Sequence, residues 1–285
     1  MSPTGTGAAY LLDKPAGISS RKAAAGAAGY WKFRKFGHAG TLDPDATGLL
    51  VVLMGRATRL SRFLTSFSKT YSFGVQLGVR TDTDDLSGKV IERNPVEGVT
   101  EADIQSALEL FTGTLRQRVP SYSAVRVGGV RAYSIARKGK VPETPVRTVT
   151  ADNWILHELD GERVRLSVTV SSGTYVRALA RDLGEELGTG GAAFDIRRTR
   201  IDGLGVEEAS RDHEDPGALL TMSSVMRGFP DITLDDADTE KVSHGGSIAG
   251  RIEGLVALHD PDGKLLAMAE GDGSFLKPMC VLVES

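Results

Sequence analysis

From residue 37 the chain reads Gly37-His38-Ala39-Gly40-Thr41-Leu42-Asp43-Pro44-Asp45-Ala46-Thr47-Gly48 and passes straight into Leu49-Leu50-Val51-Val52-Leu53. Glycine, proline and aspartate at this density rule out a regular element over residues 37–48, whereas the apolar run after them reads as a strand buried on both faces. A loop therefore feeds the core. The Asp43-Pro44 step biases Asp43 toward extended backbone, and the surrounding glycines let the chain turn tightly and a ligand approach closely. Asp43 is thus displayed on a constrained loop, although an Asp-Pro pair by itself also serves as an ordinary turn initiator.

The rest of the chain supplies a mixed set of elements. Ala9-Tyr10-Leu11-Leu12 reads as a strand, and Ser19 or Ser20 caps an alanine-rich helix running toward Tyr30. From Tyr71 to Gly78 apolar residues alternate with small or polar ones, so Tyr71, Phe73, Val75 and Leu77 share the core side of a strand. Thr100 and Asp103 form an approximate capping box for a helix with Ile104, Leu108 and Phe111 on one face. Residues 113–147 show no strong period. Val164, Leu166, Val168 and Val170 mark another strand, after which Thr174 is expected to cap a helix facing the core with Val176, Leu179, Leu183 and Leu187. Residues 202–217 read as surface, and Gly228-Phe229-Pro230 as a linker. Strands near 255–258 and 265–268 follow, joined by the hairpin turn Asp260-Pro261-Asp262-Gly263, with a further apolar stretch at 279–283. The fold class is α+β, a mixed, largely antiparallel domain over residues 1–228 followed by a small β domain over 229–285.

Two arginines on the helix after Thr174 differ in their surroundings. Arg177 lies in the first turn, where a cation opposes the helix dipole, and its i+4 neighbour is the like-charged Arg181. It needs a distant partner. Arg181 has Glu185 at i+4 and reads as a surface pair.

A net charge of −3 argues against a polyanionic partner only until it is divided. Residues 1–150 carry +9, residues 151–200 carry −1 and residues 201–285 carry −11. Ten basic residues between Lys14 and Lys69 face only Asp43 and Asp45, and a second cluster, Arg116 to Arg147, is opposed by Glu143 alone. Both can be solvated faces, or the electrostatic footing for a nucleic acid. Other chemistries lack their residues. The one cysteine, Cys280, forms no internal disulfide, the histidines are too scattered for a zinc site, and no phosphate-cradling glycine loop is present. A metal and a cofactor are not expected. Without a signal peptide pattern before Tyr10 or an apolar run of the ~20 residues that span a bilayer, the expectation is a cytoplasmic protein with no membrane contact.

The stretch around Asp43 closely resembles the signature of the TruB family of tRNA pseudouridine synthases, Gly-His-x-Gly-Thr-Leu-Asp-Pro-x-Ala-x-Gly-Leu-Leu. The likeness continues through Lys69-Thr70-Tyr71, Leu77 to Asp84, Val119-Pro120-Ser121-Tyr122-Ser123-Ala124, and Gly173-Thr174-Tyr175-Val176-Arg177 with Asp182-Leu183-Gly184. It covers about residues 10–200 in order and spacing. It implies a pseudouridine synthase catalytic domain and, by size and position only, a PUA-like C-terminal domain. It also implies that Asp43 is the nucleophile converting uridine 55 of the tRNA T arm to pseudouridine, with the base flipped out, and leaves open whether the carboxylate attacks C1′ or C6. Arg177 would pair with Asp43, and Tyr71 would stack on the base and assist removal of its C5 proton. His38 would lie near the flipped nucleotide and Ile196 behind the base. Lys14 and the basic segment 113–147 would touch substrate or shape its pocket. A monomer acting without guide RNA is expected, because long basic tails are missing. The competing readings are an RNA-folding chaperone with Asp43 incidental, a guide-RNA-dependent relative, and a small-molecule enzyme using an Asp-Arg pair.

Overall fold

The computed structural model describes residues 6–282. In chain order the elements begin with β1 (Gly7–Lys14), α1 (Ser20–Tyr30), β2 (Phe36–His38), β3 (Thr47–Gly55), a 3₁₀ turn over Arg56–Leu60 and α2 (Ser61–Ser66). Next come β4 (Lys69–Leu77), β5 (Val79–Thr81), β6 (Val90–Arg93), α3 (Glu101–Leu110), β7 (Gly113–Arg118), β8 (Arg126–Val127), β9 (Val130–Arg131) and α4 (Ala132–Ala136). They continue with β10 (Val146–Asp160), β11 (Arg163–Val170), α5 (Val176–Glu186), β12 (Gly191–Ile201), β13 (Leu204–Gly205), β14 (Leu219–Leu220) and α6 (Met222–Val225). The last are β15 (Asp231–Thr233), α7 (Asp236–Ser243), β16 (Ile248–Ala249), β17 (Glu253–His259), β18 (Leu265–Asp272) and β19 (Phe275–Val281).

The chain forms two compact units. One contains the residues through Pro44, Gly48–Thr65 and those from Asp202 on; the other contains Asp45–Thr47 and Ser66–Ile201. In the first, β1 lies antiparallel between β14 and β3, with β2 on β3. Every residue of β1 is buried, as are Leu49 to Met54 of β3, so the loop does feed a buried strand, but it is shorter than expected: Gly37 and His38 belong to β2 and Thr47 and Gly48 to β3, which leaves residues 39–46 as loop. The C-terminal stretch adds a sheet ordered β15-β17-β18-β19-β16 over a core of its own that includes Val242, Val256, Leu258 and Leu276. The predicted hairpin joins β17 to β18, and Gly263 takes φ +77° there and donates to the Asp260 carbonyl.

Three arginines fasten this C-terminal sheet. Arg56 donates to the Leu282 carbonyl at 3.1 Å, Arg59 to that of Val281 and Arg62 to that of Met279 at 2.7 Å.

In the second unit, strands run antiparallel in the order β12-β4-β11-β10-β7. Tyr71, Phe73, Val75 and Leu77 are buried as the alternation predicts. The Thr100–Asp103 capping box is present. Sequence periodicity missed β7, β10 and β12. The burial of β7 alternates, but its inward positions are Gly113, Leu115 and Gln117 and so carry little apolar signal, while most residues of β10 are exposed. In β12, a bulge between Phe194 and Arg197 and a second between Arg198 and Arg200 break the period of two.

Helix α5 sits close to the start of β12. A Cβ at Gly184 would lie 2.2 Å from the Gly191 nitrogen, so only glycine permits that approach. The cap of α5 differs from expectation. Thr174 does not cap it: its hydroxyl donates to the Ser171 carbonyl at 2.9 Å, and the N-cap residue is Tyr175, without a side-chain cap. Gln117 of β7 instead holds the N-cap residue, accepting from the Tyr175 N–H at 2.8 Å and donating to its carbonyl at 3.1 Å. Leu187 falls just past the helix end and is half-buried rather than facing the core.

Candidate active site

In the first unit the site is organised around Asp43. Residues 39–46 carry no strand or helix pairing and Asp43 is exposed. Its neighbours are tightly held. Ser20, 2% exposed in the first turn of α1, donates its hydroxyl proton to the Leu42 carbonyl at 2.8 Å and accepts from the Leu42 N–H at 2.8 Å. On the other side, the Pro44 carbonyl accepts from Lys14 Nζ at 2.8 Å and from the Gly17 N–H at 3.0 Å.

Lys14 is fully buried, and its ammonium also donates to the carbonyls of Pro15 and Ile18, each at 2.8 Å. Three carbonyls match the three protons of the group. Its place is thus in the architecture of the Asp43 loop. His38 ends β2, paired with Val52, and its carbonyl accepts from Ser61 at 3.3 Å.

Tyr71, Ile196 and Arg177 lie in the second unit. Tyr71 is central on β4, opposite Val168 and Arg198, and its hydroxyl makes no hydrogen bond among the described residues. Ile196 is half-buried within the β12 bulge, on the strand adjacent to Tyr71. Arg177 is 5% exposed in the first turn of α5. It donates to the carbonyls of Thr83 at 2.7 Å and Tyr122 at 3.1 Å and pairs with the Asp85 carboxylate at 3.4 Å.

Asp85 is a residue that the sequence reading missed. Its other oxygen accepts from Thr83 and Ser87 hydroxyls at 2.8 and 2.6 Å. A buried guanidinium without a carboxylate is costly, and three aspartates at 82, 84 and 85 were the available signal for its partner.

Arg181 overturns the expected surface pair with Glu185. Its side chain is 14% exposed and it pairs with Asp84 at 2.9 Å and Asp182 at 2.7 Å, and donates to the Arg118 carbonyl at 3.2 Å. Glu185 instead pairs with Arg80 at 3.2 Å. Burial pushes the Asp84 carboxyl above the usual carboxylate range, with Arg181 and Arg177 pulling it back. Burial likewise raises Asp182. A cavity of about 480 Å³ opens beside this network, bounded by Asp82, Asp84, Tyr122, Lys140 and Arg181. Among the described residues no cluster of histidine, cysteine or carboxylate side chains has the makings of a metal site, and no helix is long and apolar enough to cross a membrane.

Within the first unit, an exposed carboxylate on a loop whose flanking main chain is hydrogen-bonded suits covalent catalysis on a base or sugar. Residues 29–176 match the family described as "TruB family pseudouridylate synthase (N terminal domain)", and residues 229–283 match "tRNA Pseudouridine synthase II, C terminal". The chain belongs to the TruB family. Within it, the chain is 39% identical to the tRNA pseudouridine synthase B of Thermobifida fusca (strain YX), with 96% of this chain and 98% of that protein covered. The enzyme of the same name from Mycobacterium sp. (strain KMS) is 38% identical, with 99% and 98% covered. Among solved structures, a Cbf5-Nop10-Gar1 complex superposes with a TM-score of 0.76 at 25% identity, covering 97% of this chain and 85% of that one. TruB membership assigns the chain to the pseudouridine synthases, and the large antiparallel sheet with its C-terminal β sheet is the fold of that family.

Proposed function

We propose that this TruB-family chain isomerises uridine 55 in the T arm of tRNA to pseudouridine, with Asp43 as the nucleophile. The observation that carries this reading is the Asp43 loop: an exposed carboxylate whose two flanking residues are hydrogen-bonded through their main chain. The reaction breaks the C1′–N1 bond, turns the base and forms a C1′–C5 bond. The C5 proton leaves to solvent, N1 ends protonated, and oxidation state is unchanged. A carboxylate that forms and releases a covalent adduct with the nucleoside is sufficient for this, so no cofactor is invoked.

Arg177 is assigned as the cationic partner that keeps the reacting carboxylate ionised, with Asp85 fixing the guanidinium. Tyr71 offers an aromatic face for stacking and a hydroxyl with no competing partner among the described residues to assist C5 deprotonation. His38 and Ile196 are assigned to the space around the base. A stacked T-loop uridine must first be extruded at a cost of a few kcal/mol, which pocket contacts offset. We read residues 1–228 as the catalytic domain, 229–285 as a small PUA-like domain, and the protein as a cytoplasmic monomer acting on tRNA without guide RNA or membrane.

C5-tritiated T-stem-loop RNA tests the reading. Tritium release by wild type and none by Asp43→Asn is expected. Equal release by both, or silence in both, overturns it.

A further inference from the structure

Asp43 presents a problem of placement. Its side chain is exposed, the loop from 39 to 46 lies outside any strand or helix, although the Ala39 N–H donates to the Val51 carbonyl of β3 at 2.9 Å, and Pro44 contributes no N–H. The flanking residues fix the backbone on either side of Asp43. On the C-terminal side Lys14 and Gly17 are both bonded to the Pro44 carbonyl. On the N-terminal side Ser20 Oγ bonds both main-chain groups of Leu42, the residue immediately before Asp43.

The Leu42 carbonyl belongs to the Leu42–Asp43 peptide plane, so holding it sets the direction in which Asp43 leaves that plane. Holding the Leu42 N–H as well fixes the preceding plane. A hydroxyl can donate and accept through a single atom, which a carboxylate cannot do and a methyl group replaces with nothing. Ser20 is 2% exposed, and Leu42 is 3% exposed, so water does not substitute there.

We propose that Ser20 is a positioning residue for Asp43, acting through Leu42 to hold the carboxylate in the geometry that reaction requires. The proposal rests on the reading of Asp43 as nucleophile. Misplacement of a reacting group by about 1 Å costs on the order of 100-fold in rate, so the defect should appear in the chemical step and not in RNA binding.

The test is single-turnover tritium release from T-stem-loop RNA with enzyme in excess, together with the RNA dissociation constant and thermal midpoint, for Ser20→Ala, Ser20→Thr and Asp43→Asn. Ser20→Ala should slow the chemical step roughly 10- to 100-fold while the dissociation constant stays within about twofold, and Ser20→Thr, which keeps the hydroxyl, should regain most of the rate. A Ser20→Ala rate within about twofold of wild type overturns the proposal, as do equally slow Ala and Thr variants or a slower rate matched by weaker RNA binding. Should Ser20→Ala fail to fold, Ser20→Cys, similar in size but a weak hydrogen-bonding group, is read by the same criteria. An inactive Asp43→Asn beside a fully active Ser20→Ala removes only the Ser20 role, whereas an active Asp43→Asn removes the nucleophile reading and this one with it.

Discussion

Between Lys14 and Lys69, five of the ten basic side chains end on main-chain carbonyls: Lys14, Arg56, Arg59, Arg62 and Lys69. The eight basic side chains from Arg116 to Arg147 are all exposed and form no ion pair among the described residues. In sequence the two clusters are alike, each a run of positive charge with hardly an acid nearby. In the fold, half of the first serves as fastening, with Lys14 and Lys69 buried and Arg56, Arg59 and Arg62 holding the C-terminal sheet, and we assign the RNA footing inferred from charge to Arg21, Lys22, Lys32, Arg34 and Lys35 together with the second cluster. Charge counting thus overstates the electropositive surface wherever cations are buried, as Lys14 and Lys69 are.

Four measurements break or sharpen that contrast. The largest effect is expected from Lys14→Met, which leaves three carbonyls without their donor; a fall of ~2–4 kcal/mol in denaturant stability should result. A fall under about 0.5 kcal/mol, the range of surface changes, would return Lys14 to the substrate-contacting role. Next, replacing Arg126, Arg131, Lys138 and Lys140 together by Gln should weaken T-stem-loop affinity by about 10- to 100-fold at low salt and flatten its log–log salt dependence by roughly 0.7–0.9 for each phosphate that the variant no longer neutralises. Stability should move by less than about 0.5 kcal/mol, and an unchanged salt slope would remove this cluster from the interface.

The triple change Arg56→Ala, Arg59→Ala and Arg62→Ala should give the reverse pattern. Stability should fall by ~1–3 kcal/mol, since charge-assisted bonds at a partly exposed site are discounted for solvent. The salt slope should stay the same. The smallest effect concerns Lys69, whose amine burial lowers to about 8 from 10.5, with Arg198 adding to the shift. Below pH 8 folded and unfolded forms both hold the proton and the folded form bears the burial penalty. Between pH 8 and 10.5 the unfolded form binds more protons, so this group makes stability rise with pH. Denaturation of wild type and Lys69→Met across that window should show any advantage of the variant shrinking as pH increases.

Much of the architecture was legible because local signals agreed with the fold. The Thr100–Asp103 box, the alternation from Tyr71 to Leu77 and the 260–263 turn each follow from short-range chemistry that packing did not oppose. The failures have a common cause. Thr174 could cap α5, but Gln117 reaches its N-terminus from 58 residues away. Arg181 has a suitable acid one turn on, yet buried Asp84, 97 residues distant, takes it. In both places a long-range partner displaced the local one. The candidate site shows the same division: the loop position of Asp43 and the inward face of Tyr71 follow from local sequence, whereas the contacts of Asp85 and Ser20 span 92 and 22 residues. Lys14 was readable as a residue of interest, but its burial was not.

The attachment of the C-terminal sheet by Arg56, Arg59 and Arg62 has a consequence for how that sheet can vary. Every acceptor is a carbonyl of Met279, Val281 or Leu282, and carbonyls are common to all residue types. The grip follows the path of the chain and is indifferent to its spelling. Of the three, Leu282 is buried and Val281 packs against the core of the sheet, whereas Met279 is exposed, so Met279 is a tolerant place to install a label or a crosslinker so long as β19 keeps its course.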